Sequence, residues 1–86
     1  MNWFWLSFAD PGKRFLGVVI IEAESFPAAL SKSWQLHLNP GGECRAYLLN
    51  ENENLTRFKI FANRLLTTKE LIENDLGVQV KPRGSL

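Results

Sequence analysis

Asn2-Trp3-Phe4-Trp5-Leu6-Ser7-Phe8, the turn Ala9-Asp10-Pro11-Gly12-Lys13, and Arg14-Phe15-Leu16-Gly17-Val18-Val19-Ile20-Ile21-Glu22 together decide the fold. In the first segment Trp3, Trp5 and Ser7 alternate with Phe4, Leu6 and Phe8, so both faces are largely apolar. Aromatic residues favour strands, and a strand with two apolar faces is either central in a layered structure or buried by a partner on its second side. Pro11 presets φ, and Gly12 supplies a left-handed position, so a hairpin turn follows. The β-branched centre Val18-Val19-Ile20-Ile21 makes residues 14–22 the second strand, with Phe15, Gly17, Val19 and Ile21 on one face and Leu16, Val18, Ile20 and Glu22 on the other.

Outward from this hairpin, Ser25 can cap a helix with Pro27 in its first turn, where the missing N–H costs nothing. Phe26, Ala29, Leu30, Ser33, Trp34, His37 and Leu38 recur at helical spacing and predict one buried face. Asn39-Pro40-Gly41-Gly42 ends that helix, because Pro40 cannot continue it. Residues 43–49 alternate as a third strand, Cys44, Ala46 and Leu48 against Arg45, Tyr47 and Leu49, and residues 50–54 form a polar loop. The spacing of Leu55, Phe58, Phe61, Ala62, Leu65 and Leu66 predicts a helix over 55–66, although Phe58 and Ile60 also fit a short strand. Thr67-Thr68-Lys69-Glu70 matches a capping box, which predicts a last helix carrying Leu71, Ile72 and Leu76 and ending at Gly77. Residues 78–81 read as an edge strand and 82–86 as a tail, giving a single domain over 1–81.

The order β-β-α-β-α-α predicts an α+β domain: a three- to four-stranded, mainly antiparallel sheet with two or three helices on one face. That arrangement leaves either Trp3 and Trp5 or Phe4 and Phe8 on an open sheet face, and a patch of that size marks a contact surface. Homo-oligomerisation is the expected cover, since sheet faces and edges are self-complementary under twofold symmetry.

The 86 residues provide one core, which buries about 60 to 65 per cent of the surface of the unfolded chain. With 45% hydrophobic residues the chain is too apolar for disorder, and its formal charge of +1, from ten basic and nine acidic residues, gives no drive toward duplex nucleic acid or anionic lipid. The apolar run from Phe15 is far shorter than the roughly 18 residues of a membrane helix, and the N-terminus lacks the basic start of a signal peptide. A cytoplasmic protein without membrane contact is expected.

Catalytic equipment is not recognisable in the sequence. Cys44 is the single cysteine and His37 the single histidine, short of the four ligands of a structural zinc site. His37 has no sequence signature for a nucleophile or orienting carboxylate and reads as a half-buried packing or capping residue. Arg45 points to the opposite strand face from Cys44, which reads as buried and inert. Glu22 and Glu24 share a strand face, with Asp10 in the preceding turn. They could gather for a cation or an acid–base pair, but such carboxylates commonly mark a solvated exit from a sheet. A small hydrolase using Glu22, Glu24 and His37 is the least favoured reading. The expectation is no enzyme, cofactor or metal.

Binding is better provided for. The paired Gly41 and Gly42 serve a helix-to-strand turn or let a ligand approach the backbone, with Arg45 and Tyr47 nearby. Trp3, Trp5 and Trp34 exceed what packing in a short chain commonly uses, and one of Trp3 and Trp5 is expected at a subunit interface or pocket. Arg14, Arg45, Arg57 and Arg64 are candidate phosphate clamps.

The segments Trp3-Phe4-Trp5-Leu6-Ser7-Phe8-Ala9-Asp10-Pro11, Phe15-Leu16-Gly17-Val18, Glu22-Ala23, Asn39-Pro40-Gly41-Gly42-Glu43 and Asn63-Arg64-Leu65-Leu66 resemble a group of short proteins of bacteria and their phages, for which no activity is assigned. The resemblance covers the first half of the chain and, loosely, residues 63–70. It implies a phage or mobile-element setting, in a host cytoplasm if phage-encoded. The expected function is a homo-oligomer that sequesters a nucleotide-like host signal. The alternative is an inhibitor or adaptor that binds a host protein through its aromatic surface.

Overall fold

The computed structural model describes residues 1–12 and 14–76. Strand β1 (Asn2–Ala9) pairs antiparallel with β2 (Phe15–Ala23), and the hairpin is closed by Asp10 N–H donating to the Arg14 carbonyl at 2.9 Å. Helix α1 (Phe26–Gln35) follows, then β3 (Glu43–Leu48), α2 (Leu55–Lys59), β4 (Leu65–Leu66) and α3 (Thr68–Glu73). The described strands form one antiparallel sheet in the order β3-β1-β2-β4, so the fold is α+β as the hairpin reading requires.

One feature of the expected architecture is corrected: the helices lie on both faces of the sheet. Phe4, Leu6, Phe8, Val19 and Ile21 bury against α1 through Ala29, while Trp5, Val18 and Ile20 bury on the other side with Phe58 of α2 and Leu71 of α3. The two apolar faces of β1 are therefore both covered within one chain. Phe4, Trp5 and Phe8 are all buried, so among the described residues these rings of β1 leave no open aromatic sheet face. This is the central-strand alternative, in which continuous apolar runs are required because water reaches neither face.

Two segments depart from their predicted faces or ends. The β1–β2 register shifts between Phe8 and Ala9, leaving Leu16 as an extra residue opposite that step. A bulge of one residue inverts the alternation, so Phe15 packs with Val18 and Ile20, and Leu16 with Val19 and Ile21, the reverse of the simple period-two assignment. Gly17 lies beside the bulge at φ 145°, where a Cβ would meet the Leu65 side chain at 2.7 Å, and its lack of one lets β4 close on β2.

The predicted helix over 55–66 is cut short. Only Leu55–Lys59 is helical, after which Asn63, at φ 63°, turns the chain back and donates its N–H to the Ile20 carbonyl at 2.9 Å. Leu65 and Leu66 then pair with Val19 and Val18 and send their side chains into opposite cores. The fourth strand is thus β4, and the strand expected over 78–81 lies outside the described residues, as does the tail.

The helix starts are the ones read from sequence. The Ser25 hydroxyl accepts the Ala28 N–H at 3.2 Å, and Thr67 and Glu70 form a reciprocal capping box, each such cap worth about 1 kcal/mol. The ends differ. Helix α1 stops at Gln35 and closes with His37 at φ 59°, whose N–H donates to Trp34 while the Leu38 N–H donates to Ser33. Helix α3 closes the same way, with Asp75 at φ 55° and the Leu76 N–H on the Leu71 carbonyl. These left-handed terminal motifs prefer glycine, but a buried residue just beyond compensates: Leu76 is fully buried beside Leu71.

Glu70 also sets an expected pH response. The Thr67 backbone N–H first, and then Arg64 at 2.9 Å, hold its carboxyl below its ordinary value of 4.5, against some opposing desolvation. Because the folded value is the lower one, the stabilisation is present above the ordinary glutamate range and is lost as pH falls through the folded value. NMR titration of the Glu70 carboxyl should show a midpoint below that of an unstructured glutamate. A midpoint at or above it would disprove the cap's electrostatic role.

Candidate interaction surface

Helix α1 contacts β2 most and β1 less. Small residues make that contact: Ala29 and Ser33 are fully buried, and Ser33 Oγ is satisfied by donating to the Leu30 carbonyl at 2.6 Å and accepting from Asn39 Nδ2 at 3.1 Å. With these two pointing inward, the 3.6-residue period places Phe26, Leu30 and Trp34 in line on one flank of the helix. Leu30 leans on the core, while Phe26 is 37% and Trp34 58% exposed. Leu36, the C-cap residue of α1, and Leu48, at the end of β3, are also exposed.

The structure disperses the residues singled out from sequence. Trp5 is a core residue whose ring stands edge-on to Phe58, with centroids 5.7 Å apart. Trp3 packs half-buried against the same core under the Lys59 ammonium, 5.4 Å from its ring centre. Tyr47 lies opposite Trp5 on β3 and packs beside it, and Arg45, exposed, lies opposite Ser7. Arg14 is exposed in the hairpin turn, 3.5 Å from Asp10. Arg57 donates to the backbone carbonyls of Asn74 and Asp75 and so holds the end of α3, while Arg64 holds its start through Glu70 and lies over the Phe61 ring. Arg57 and Arg64 thus serve opposite ends of one short helix, Arg14 the hairpin and Arg45 an edge strand.

The glycine turn is built into the fold. Gly41 donates its N–H to Asn39 Oδ1 at 2.7 Å, and Gly42, at φ 77°, sits where a Cβ would lie 2.5 Å from the Ala9 carbonyl oxygen. Cys44 is half-buried, and desolvation pushes its thiol up to about 11, so the thiolate is scarce at neutral pH. His37, expected to be half-buried, is exposed.

Glu22 and Glu24 line a shallow groove of about 400 Å³ between α1 and the end of β2, together with Ser31, Lys32 and Leu36, and His37 is not part of its wall. The Lys32 ammonium there is committed to the Glu22 carbonyl at 3.0 Å. Among the described residues no three His, Cys, Asp or Glu side chains are grouped to hold a metal, and no helix is long and apolar enough to cross a membrane.

The most exposed tryptophan is Trp34, at 58%, which the sequence places on the buried face of its helix. The usable signal was the pair Ala29 and Ser33: two small residues four apart mark the line of closest approach to a sheet, which moves Trp34 to the flank. No family model matches the chain, and comparisons with curated proteins and with solved structures returned no match.

Proposed function

We propose that the chain is a non-enzymatic binding module whose partner is another protein, engaged through the α1 flank. The observation that carries this reading is Trp34, 58% exposed on an aromatic and aliphatic stripe with Phe26 and Leu30. Tryptophan concentrates binding energy at protein interfaces, where a large rigid ring is desolvated at small entropic cost. Nucleotide sequestration draws less support, since Trp5 is spent in the core and Arg57 and Arg64 on the ends of α3. The resemblance of the first half to short phage and bacterial proteins fits an inhibitor or adaptor acting on a host protein.

Trp34→Ser tests this directly. A replacement of this exposed side chain, which leaves the Trp34 carbonyl to accept the closing bond of α1, changes stability by no more than about 0.5 kcal/mol, a melting shift under roughly 4 °C in a domain of this size. Quantitative affinity capture from host lysate should give a partner with the wild-type chain and lose it with the variant. Identical capture by both, or a variant that fails to fold, would refute the proposed surface. Stabilisation of the wild type by more than about 1 kcal/mol in a thermal-shift screen of nucleotides would instead favour sequestration.

A further inference from the structure

Strand β3 is an edge, and among the described residues nothing pairs with its outer side. The Leu49 N–H donates to the Trp3 carbonyl at 2.8 Å, so by antiparallel alternation the backbone groups of Tyr47 and Arg45 also face β1. The N–H and C=O groups of Cys44, Ala46 and Leu48 therefore face outward. Their side chains stand on the α1 side of the sheet, where α1 covers β2 and β1 in preference to β3. Leu48 is 60% exposed there. Among the described residues, this combination of outward-facing amides without a strand neighbour and an exposed leucine is what native edges commonly avoid with lysine, proline or a bulge, none of which occurs in β3, whose charged residues Glu43 and Arg45 alternate onto the opposite face from Leu48.

We infer that β3 pairs antiparallel with β3 of a second copy of this chain about a twofold axis through Ala46, joining the two sheets into one of eight strands. A twofold axis normal to the sheet preserves its faces, so a residue can lie opposite only those of its own parity, and the axis must pass through a residue pair. Two registers overlap most of β3. Centred on Arg45, the pairing opposes two arginines directly and makes about four backbone hydrogen bonds, from Cys44 and Ala46. Centred on Ala46, it makes about six, from Ala46 with itself and from Cys44 with Leu48.

The second register also has the better side-chain matches. The smallest side chain of the strand sits on the axis. Arg45 of each copy lies beside Tyr47 of the other in a close, non-hydrogen-bonded pair that suits a guanidinium against a ring. Leu48 of each copy covers the half-buried Cys44 of the other and removes its own exposed surface from water.

Sedimentation velocity on the full chain from micromolar to roughly millimolar concentration is the first measurement, with a rise to twice the monomer mass expected. Leu48→Lys, at an exposed site, should leave the melting temperature unchanged and return the mass to that of a monomer. Register is read by cysteine pairing in a Cys44→Ser background. Ala46→Cys should form an intermolecular disulfide under mild oxidation, because facing residues of a hydrogen-bonded pair stand about 5.5 Å apart between Cα atoms, within disulfide reach. Arg45→Cys should not. A wild type monomeric throughout, a Leu48→Lys dimer, or cross-linking at Arg45→Cys in place of Ala46→Cys would each overturn the inference.

Discussion

Phe58→Ala is expected to lower the unfolding free energy by about 3–5 kcal/mol. Phe58 is fully buried and is the one buried residue of α2, a helix of five residues. A helix that short has no stability of its own, because nucleation fixes several dihedrals for a single hydrogen bond. What holds α2 on the sheet is the Phe58 ring, edge-on to Trp5 and packed with Val18, Ile20, Leu66 and Leu71. Removing it opens a cavity between β1, β2 and α3 and frees the segment that carries Arg57 to the end of α3. Domains of this size hold about 5–15 kcal/mol in all, so the variant should melt far below the wild type or fail to fold at 37 °C. Phe58→Leu keeps most of the volume and should cost less than about half as much. Urea titration followed by circular dichroism compares the three proteins, and a loss under 1 kcal/mol for Phe58→Ala would show that α2 is not anchored through this ring.

The same residue shows what the sequence could and could not reveal. Phe58 stands on the predicted apolar stripe of residues 55–66, so its burial was legible, but the helix was overextended because Phe61, Ala62, Leu65 and Leu66 continue its spacing. What breaks the helix is tertiary: Asn63 takes a left-handed φ to give its N–H to Ile20, and Leu65 and Leu66 gain more by burial on two faces of the sheet than on one face of a helix. Strand pairing across more than forty residues leaves no local mark. By contrast, the hairpin, the Ser25 cap and the Thr67-Glu70 box depend on groups within a few positions, and these were readable.

Exposure of the tryptophans was not legible in place: the doubly apolar β1 favours Trp3 and Trp5 as contact residues, whereas Trp5 is buried and Trp34 is the one 58% exposed. The same alternation is what a strand buried between two helical layers requires, and composition cannot tell a strand covered by its own helices from one covered by a partner. The arginines misled in a similar way. Arg57 and Arg64 spend their donors on carbonyls and a carboxylate at the ends of α3, contacts set by the return of the chain after β4.

Gly42→Ala is expected to cost about 2–4 kcal/mol, the sum of a left-handed φ imposed on an L-residue, about 1–2 kcal/mol, and an overpacking term of at least about 1 kcal/mol. The overpacking arises because the new methyl would stand 2.5 Å from the Ala9 carbonyl oxygen and 2.9 Å from its carbon, and backbone at the end of β1 cannot rotate away as a side chain can. Gly41→Ala isolates the first contribution. Its φ of 90° is also left-handed, but nothing lies within 4 Å of the added methyl, so it should lose only the conformational part. The difference between the two variants in denaturant midpoint therefore measures how closely the glycine turn packs on β1. It also tests the two uses a paired-glycine turn can have. If Gly42→Ala is no worse than Gly41→Ala, the close approach does not constrain the turn, and the glycine is free to serve a contact outside the chain. If it is worse by more than about 1 kcal/mol, its missing side chain is accounted for by Ala9, and the turn is a structural joint between α1 and β3.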